Sequence, residues 1–92
     1  MITTRGRNIT IATNLAAEKV EELMSVAWGA ADLNAGTHND ADNPIDFHYQ
    51  RSWDVTDDVP MEGMKRVRVT VSFPTASNDS SVTLDTYITS RR

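Results

Sequence analysis

Ninety-two residues, 39% of them hydrophobic, suffice for one small domain with a single modest core, and no apolar run reaches the roughly 18 residues that span a bilayer. A net charge of −4, with Lys and Arg gathered only at Arg5/Arg7, Lys65/Arg66/Arg68 and Arg91/Arg92, argues against a nucleic-acid surface. The absence of cysteine excludes thiol catalysis, a cysteine-based zinc site and any disulfide, and mildly weakens a secreted reading.

Residues 1–7 carry no periodic pattern and no basic-then-apolar signal peptide. Gly6 would cost a helix interior about 1 kcal/mol relative to Ala. The first strong pattern is Asn8 to Trp28. At about 100° per residue, Ile9, Ala12, Ala16, Val20, Leu23 and Ala27 share one arc, with Met24 at its edge. Thr10, Asn14, Glu18, Glu21 and Ser25 face the other way. This predicts an amphipathic helix over 8–28, capped by Asn8 or Thr10 and closed by Gly29 in the left-handed conformation. Lys19 is placed to pair with Glu22. Ile11 and Leu15 fall off the stripe, on the flank that also holds Glu22, where a helix covering one small sheet has no need of apolar side chains.

Residues 29–46 read as a long connection rich in small residues, Asn and Asp, with Gly36 and Pro44 as breakers and Leu33 and Ile45 as anchors to the core. Loops of this length in small domains are more often functional or mobile than idle. A short fourth strand within it is an alternative. Three strand patterns follow. Phe47 to Thr56 places Phe47, Tyr49, Arg51, Trp53 and Val55 on one face, with Arg51 as the exception expected at the sheet rim. Lys65 to Phe73 places Val67, Val69, Val71 and Phe73 against Arg66, Arg68, Thr70 and Ser72. Ser81 to Thr89 places Val82, Leu84, Thr86 and Ile88 against Thr83, Asp85, Tyr87 and Thr89. Alternation with one polar face predicts an antiparallel sheet covered on one side. Asp57–Gly63 and the hairpin loop Pro74–Ser80 connect the strands. The fold class is α+β: a single domain, 1–92, with one N-terminal helix packed on a three- to four-stranded antiparallel sheet (helix 8–28, loop 29–46, sheet 47–90), its core held by Val20, Leu23, Val69 and Leu84.

Few residues carry chemistry. Asn39, Asp40, Asp42, Asn43 and Asp46 put oxygens at nearly the spacing of a calcium loop, but the glycine at the sixth position and the bidentate Glu at the twelfth are missing. The run reads as a solvated acidic loop, with calcium at Asp40, Asp42 and Asp46 as the alternative, to which Asp57 and Asp58 would add ligands. His38 and His48 are the only histidines and have no third ligand at metal spacing, so both are read as surface residues. No nucleophile elbow is present, and the carboxylates cluster in loops and on the wet helix face, not as an acid/base pair. The reading is therefore a non-enzyme with no catalytic residue, no cofactor and no resident metal. Asn8-Ile-Thr and Asn78-Asp-Ser match the glycosylation pattern, which is frequent by chance. Trp28 and Trp53 are expected to close the core rather than form a ligand platform.

The order of elements, with Ala12, Leu15, Ala16, Lys19, Glu21, Glu22 and Leu23 on the helix and the Lys65–Val71 run on a strand, resembles type IV pilin-like proteins. It is most similar to minor pilins of the PilV type and to the minor pseudopilin I of type II secretion. Members of that family begin with a prepilin leader and an apolar helical segment. The resemblance therefore implies that these residues form the globular domain with the second half of a long helix. It also implies a structural subunit of a filament, anchored in the inner membrane before assembly and then periplasmic or at the cell surface. Initiation, tip and adhesion roles belong to minor members. The partners implied are other pilin or pseudopilin subunits, through Ile11 and Leu15 with Glu18 and Glu22 beside them. A dimer through Ile9, Ile11 and Leu15 would be a product of truncation. The rival reading is an extracytoplasmic binding module that uses the acidic 29–46 loop.

Overall fold

The computed structural model describes residues 4–75 and 79–90, with side chains from Asn8 onward. The Arg5/Arg7 and Arg91/Arg92 side chains, the Asn78 glycosylation pattern and the middle of the Pro74–Ser80 hairpin lie outside the described residues. The elements are α1 (Thr4–Ser25), a 3₁₀ turn (Ala31–Leu33), β1 (Gly36–Asn39), β2 (Gln50–Asp57), β3 (Met64–Pro74) and β4 (Asp79–Thr89). The strands form an antiparallel meander in the order β1-β2-β3-β4. One helix on a four-stranded antiparallel sheet is the predicted α+β arrangement, and β1 is the short fourth strand drawn from the long connection.

β3 supplies the centre of the core because both its neighbours are strands and its inner face is all apolar. Val67, Val69 and Val71 are fully buried, and Phe73 nearly so. β4 buries Ile88 and half-buries Val82 and Leu84, following the expected alternation. On the outer face Arg68 forms a two-point ion pair with Asp85 across β3 and β4, at 2.8 and 3.1 Å. This hydrogen-bonded pair holds the exposed Asp85 carboxyl below its ordinary pKa and raises that of Arg68.

The helix departs from expectation at both ends and in its rotation. It starts at Thr4 and runs through Gly6, so neither Asn8 nor Thr10 is its cap. Instead the Asn8 side chain accepts a hydrogen bond from the Tyr49 hydroxyl at 3.1 Å. It ends at Ser25, because Val26 and Trp28 turn in to pack against the core. Gly29 is not left-handed; the glycines with positive φ are Gly36 and Gly63. The buried stripe is Ala12, Ala16, Lys19 and Leu23, with Ile11, Leu15 and Val20 half-buried beside it. Ile9, expected on the buried stripe, is 42% exposed. The buried face is thus rotated toward the Ile11–Leu15 flank, because Arg51 and Trp53 of β2 reach that side.

Two further expectations on β2 are corrected. Phe47 is not a core residue: it is 90% exposed and precedes the strand. Ile45 and Tyr49 close on each other, with Ile45 N–H donating to Tyr49 O at 2.7 Å and Tyr49 N–H to Ile45 O at 2.9 Å. Asp46 and Phe47 take left-handed backbone, φ 50° and 67°, to make that closure. The reversal puts Phe47 itself outside the alternation, which holds as expected from Tyr49 through Val55. Arg51, in turn, is not at an open rim but 5% exposed, inside an ion cluster.

Candidate functional site

The polar centre of the domain is built where α1, the loop after β1, and β2 meet. Arg51 points from β2 toward the helix. Its Nε and Nη2 both donate to Asp40 Oδ2 at 2.8 Å, and Nη1 donates to the Leu15 carbonyl at 3.0 Å and reaches Glu18 at 3.4 Å. Lys19 comes from the helix and pairs with Glu22 at 2.6 Å, as expected from the sequence, and with Asp40 at 3.3 Å. Lys19, Asp40 and Arg51 are all buried. Such a cluster is tolerable only when each charge is paired and hydrogen-bonded, and no buried side-chain polar atom among the described residues lacks a partner. Burial pushes the Asp40 carboxyl up, but the Asp42 amide, Arg51 and Lys19 together outweigh it, so the net shift is downward. The cluster fastens three segments distant in sequence.

The cluster also rests on Trp53. The Lys19 ammonium lies 4.7 Å from the centre of the Trp53 ring, the His38 ring stacks on it at 5.4 Å and 9°, and the indole N–H donates to the Asp32 carbonyl at 2.9 Å. Trp53 therefore closes the core, as expected. Trp28 is half-buried with the Lys65 ammonium 5.0 Å from its ring centre. Of the loop anchors, Leu33 is fully buried and Ile45 packs at the core edge.

The acidic residues of the connection do not converge. Asp40 is occupied by Arg51, Lys19 and the Asp42 amide. Asp42 and Asp46 are exposed. Among the described residues no group of three His, Cys, Asp or Glu is arranged to hold a metal ion. His38 is half-buried on Trp53, with Nε2 2.7 Å from the Asn34 carbonyl, and His48 is exposed.

The segment 40–49 is held by backbone and amide contacts instead. Asn43 presents its side-chain amide to β2 as a strand would: Arg51 N–H donates to its Oδ1 at 2.8 Å and its Nδ2 donates to Arg51 O at 2.9 Å. Asp40 N–H donates to the same carbonyl at 3.0 Å. The result is a fixed projection with Phe47 at its tip. Along the helix, Ile11 and Leu15 pack against the domain's own core with most of their surface, while Glu18 and Glu22 keep 69% and 55% of their side chains exposed on the same flank. The expected interface residues are therefore contiguous on one side of α1, and Ile11 and Leu15 are used mostly within the chain.

Reading the sequence missed the Asp40–Arg51–Lys19 cluster and the exposed Phe47. Arg51 on an otherwise apolar strand face was the available signal for the first. Among the described residues no helix is long and apolar enough to cross a membrane. Comparison with known protein families, with characterised proteins and with solved structures returns no match.

Proposed function

We propose that this domain is a pilin-like structural subunit, working by packing against neighbouring subunits rather than by catalysis. What supports the reading most directly is α1: among the residues whose side chains are described, Ala12 is the first fully buried one, and the helix runs back from it to Thr4 despite Gly6. A helix held chiefly by tertiary packing needs cover along its length, and the exposed part of the Ile11, Leu15, Glu18 and Glu22 flank offers a surface for that cover to be supplied by other copies. The finer assignment is a minor pilin of a type IV pilus-like filament, with a type II secretion pseudopilin as the alternative machine. Inner-membrane anchoring before assembly and a periplasmic or surface position afterwards belong to the same proposal.

The test is Ile11→Ser with Leu15→Ser in the full-length gene product. Filament assembly is expected to fall at least tenfold, counted by electron microscopy. Because both side chains also touch the core, the isolated double variant is expected to lose about 1–3 kcal/mol of stability. Asn14→Arg, at an exposed helix position outside the Lys19–Asp40–Arg51 cluster, provides the control that separates folding from assembly. Normal filaments in all these variants would overturn the interface. A gene lacking an upstream apolar stretch of about 20 residues would overturn the pilin reading itself.

A further inference from the structure

The strand order β1-β2-β3-β4 leaves β4 with one neighbour. Ser90 N–H donates to Gly63 O at 3.1 Å, and hydrogen-bonded pairs alternate along an antiparallel ladder, so the even-numbered residues of β4 bond to β3. The backbone N–H and C=O groups of Ser81, Thr83, Asp85 and Tyr87 point the other way, and no group among the described residues bonds to them. Sheet edges are ordinarily blunted by shortness, proline, lysine or a bulge. β1, the opposite edge, has only four residues. β4 has eleven, with no Pro and no Lys, and pairs with β3 residue by residue without a bulge.

The helix above is open on the same side. α1 lies over β3 and β4, with its Leu15–Glu18 flank turned to Arg51 of β2. The opposite flank overhangs the free edge and carries Ile9, Ala17, Val20 and Met24. Ile9 and Met24 are 42% and 50% exposed, Ala17 is exposed and Val20 half-buried. A partner that fits both the edge and the flank presents a strand with a helix laid over it, and this domain has that form.

A two-fold axis perpendicular to the sheet beside Leu84, the middle residue of β4, brings the two surfaces together. Antiparallel pairing about Leu84 overlaps the strand over its full length, with Thr83 opposite Asp85 and Ser81 opposite Tyr87. The four open residues of each copy then close about eight hydrogen bonds. No like charges stand opposite, and each Asp85 carboxylate is already met by its own Arg68 at 2.8 Å. The helices match as well. α1 runs in the same direction as β4: Asn8 bonds to Tyr49, whose ring lies against Phe73, the partner of Ser80, and Met24 meets Thr86 at 3.9 Å. The same axis therefore makes two copies of α1 antiparallel. With strands about 4.8 Å apart, a helix lying between β3 and β4 is about 5 Å from the axis, so the two helices are about 10 Å apart, which is contact distance.

We propose that two copies of this chain pair through β4 and the Ile9–Met24 flank of α1, joining their four-stranded sheets into one. The contact goes beyond the subunit reading and leaves Ile11, Leu15, Glu18 and Glu22 uncovered. Sedimentation of the 92-residue chain over a concentration series is expected to show a dimer and nothing larger, because a contact between identical patches closes on itself. Hydrogen exchange locates it. The amides of Ser81, Thr83, Asp85 and Tyr87 are expected to slow about tenfold or more from dilute to concentrated solution, while that of Leu84, bonded to β3 in either state, changes much less. Thr83→Pro removes a donor that β3 does not use, which an edge strand tolerates. Ala17→Glu sets like charges on the two helices at an exposed position. Each variant is expected to keep the wild-type circular dichroism and to weaken the dimer about tenfold or more. A chain still monomeric at about 1 mM, association beyond a dimer, edge amides that exchange equally fast at both concentrations, or either variant associating as wild type does would each overturn the contact.

Discussion

Asp40→Ala is expected to cost about 3–5 kcal/mol, the penalty of leaving buried charge uncompensated. The only carboxylates left to Arg51 and Lys19 would be Glu18 at 3.4 Å and Glu22 at 2.6 Å, both largely in water. For a domain of this size each kcal/mol corresponds to about 4–8 °C in melting temperature, so thermal melts read the effect directly. Arg51→Met alone should cost a similar amount. The double variant Asp40→Leu/Arg51→Met should lose clearly less than the two singles together, since both sides of the pair become apolar. A strictly additive pair would show that the cluster contributes through independent contacts. Acid offers a second readout. The Asp40 pKa is lowered in the folded state from its ordinary 3.8, so its contribution is complete above that value and is lost as pH falls below it. Stability measured by denaturant at pH 6 and at pH 3 should therefore fall more for wild type than for Asp40→Asn.

Trp53→Ala is expected to cost about 3–5 kcal/mol, in the range for removing a buried aromatic ring. The position is more exposed to consequence than a purely apolar one. Its ring carries Lys19 on one side and His38 on another, and its N–H satisfies the Asp32 carbonyl beside the 3₁₀ turn. Trp53→Phe should recover most of the ring packing but not that hydrogen bond, leaving a loss of about 1–3 kcal/mol. Chemical denaturation followed by circular dichroism distinguishes the cases. A Phe variant as unstable as the Ala variant would assign the effect to the polar contact alone.

The parts legible in the sequence are those governed by one local rule. β3 and β4 were readable because Val67, Val69, Val71 and Ile88 alternate without interruption with Arg68, Asp85 and Tyr87. Leu33 and Ile45 stood out as the apolar residues of a polar connection. What escaped depended on contacts between distant residues. Arg51 violated the pattern of its strand, but its partner Asp40 lies 11 positions away and Lys19 another 21 before that, and the alternation does not predict that they meet. Phe47 fits the alternation yet lies outside the strand, since the left-handed pair at Asp46 and Phe47 turns the chain before Tyr49, from which the expected parity holds. The helix stripe was readable only to within a rotation, because the flank that β2 covers is set by Arg51 and Trp53 rather than by the helix.

The amide of Asn43, bonded to both backbone groups of Arg51, has a consequence for the time the 40–49 segment spends open. The Arg51 N–H belongs to a strand yet is protected by a side chain from a loop. Its hydrogen exchange should therefore report loop release rather than global unfolding, and run faster than that of Val69 on the central strand. Asn43→Ala should accelerate exchange at Arg51 and Tyr49 while leaving Val69 nearly unchanged. In kinetic terms, this one amide sets how persistently the Phe47 tip is held in place.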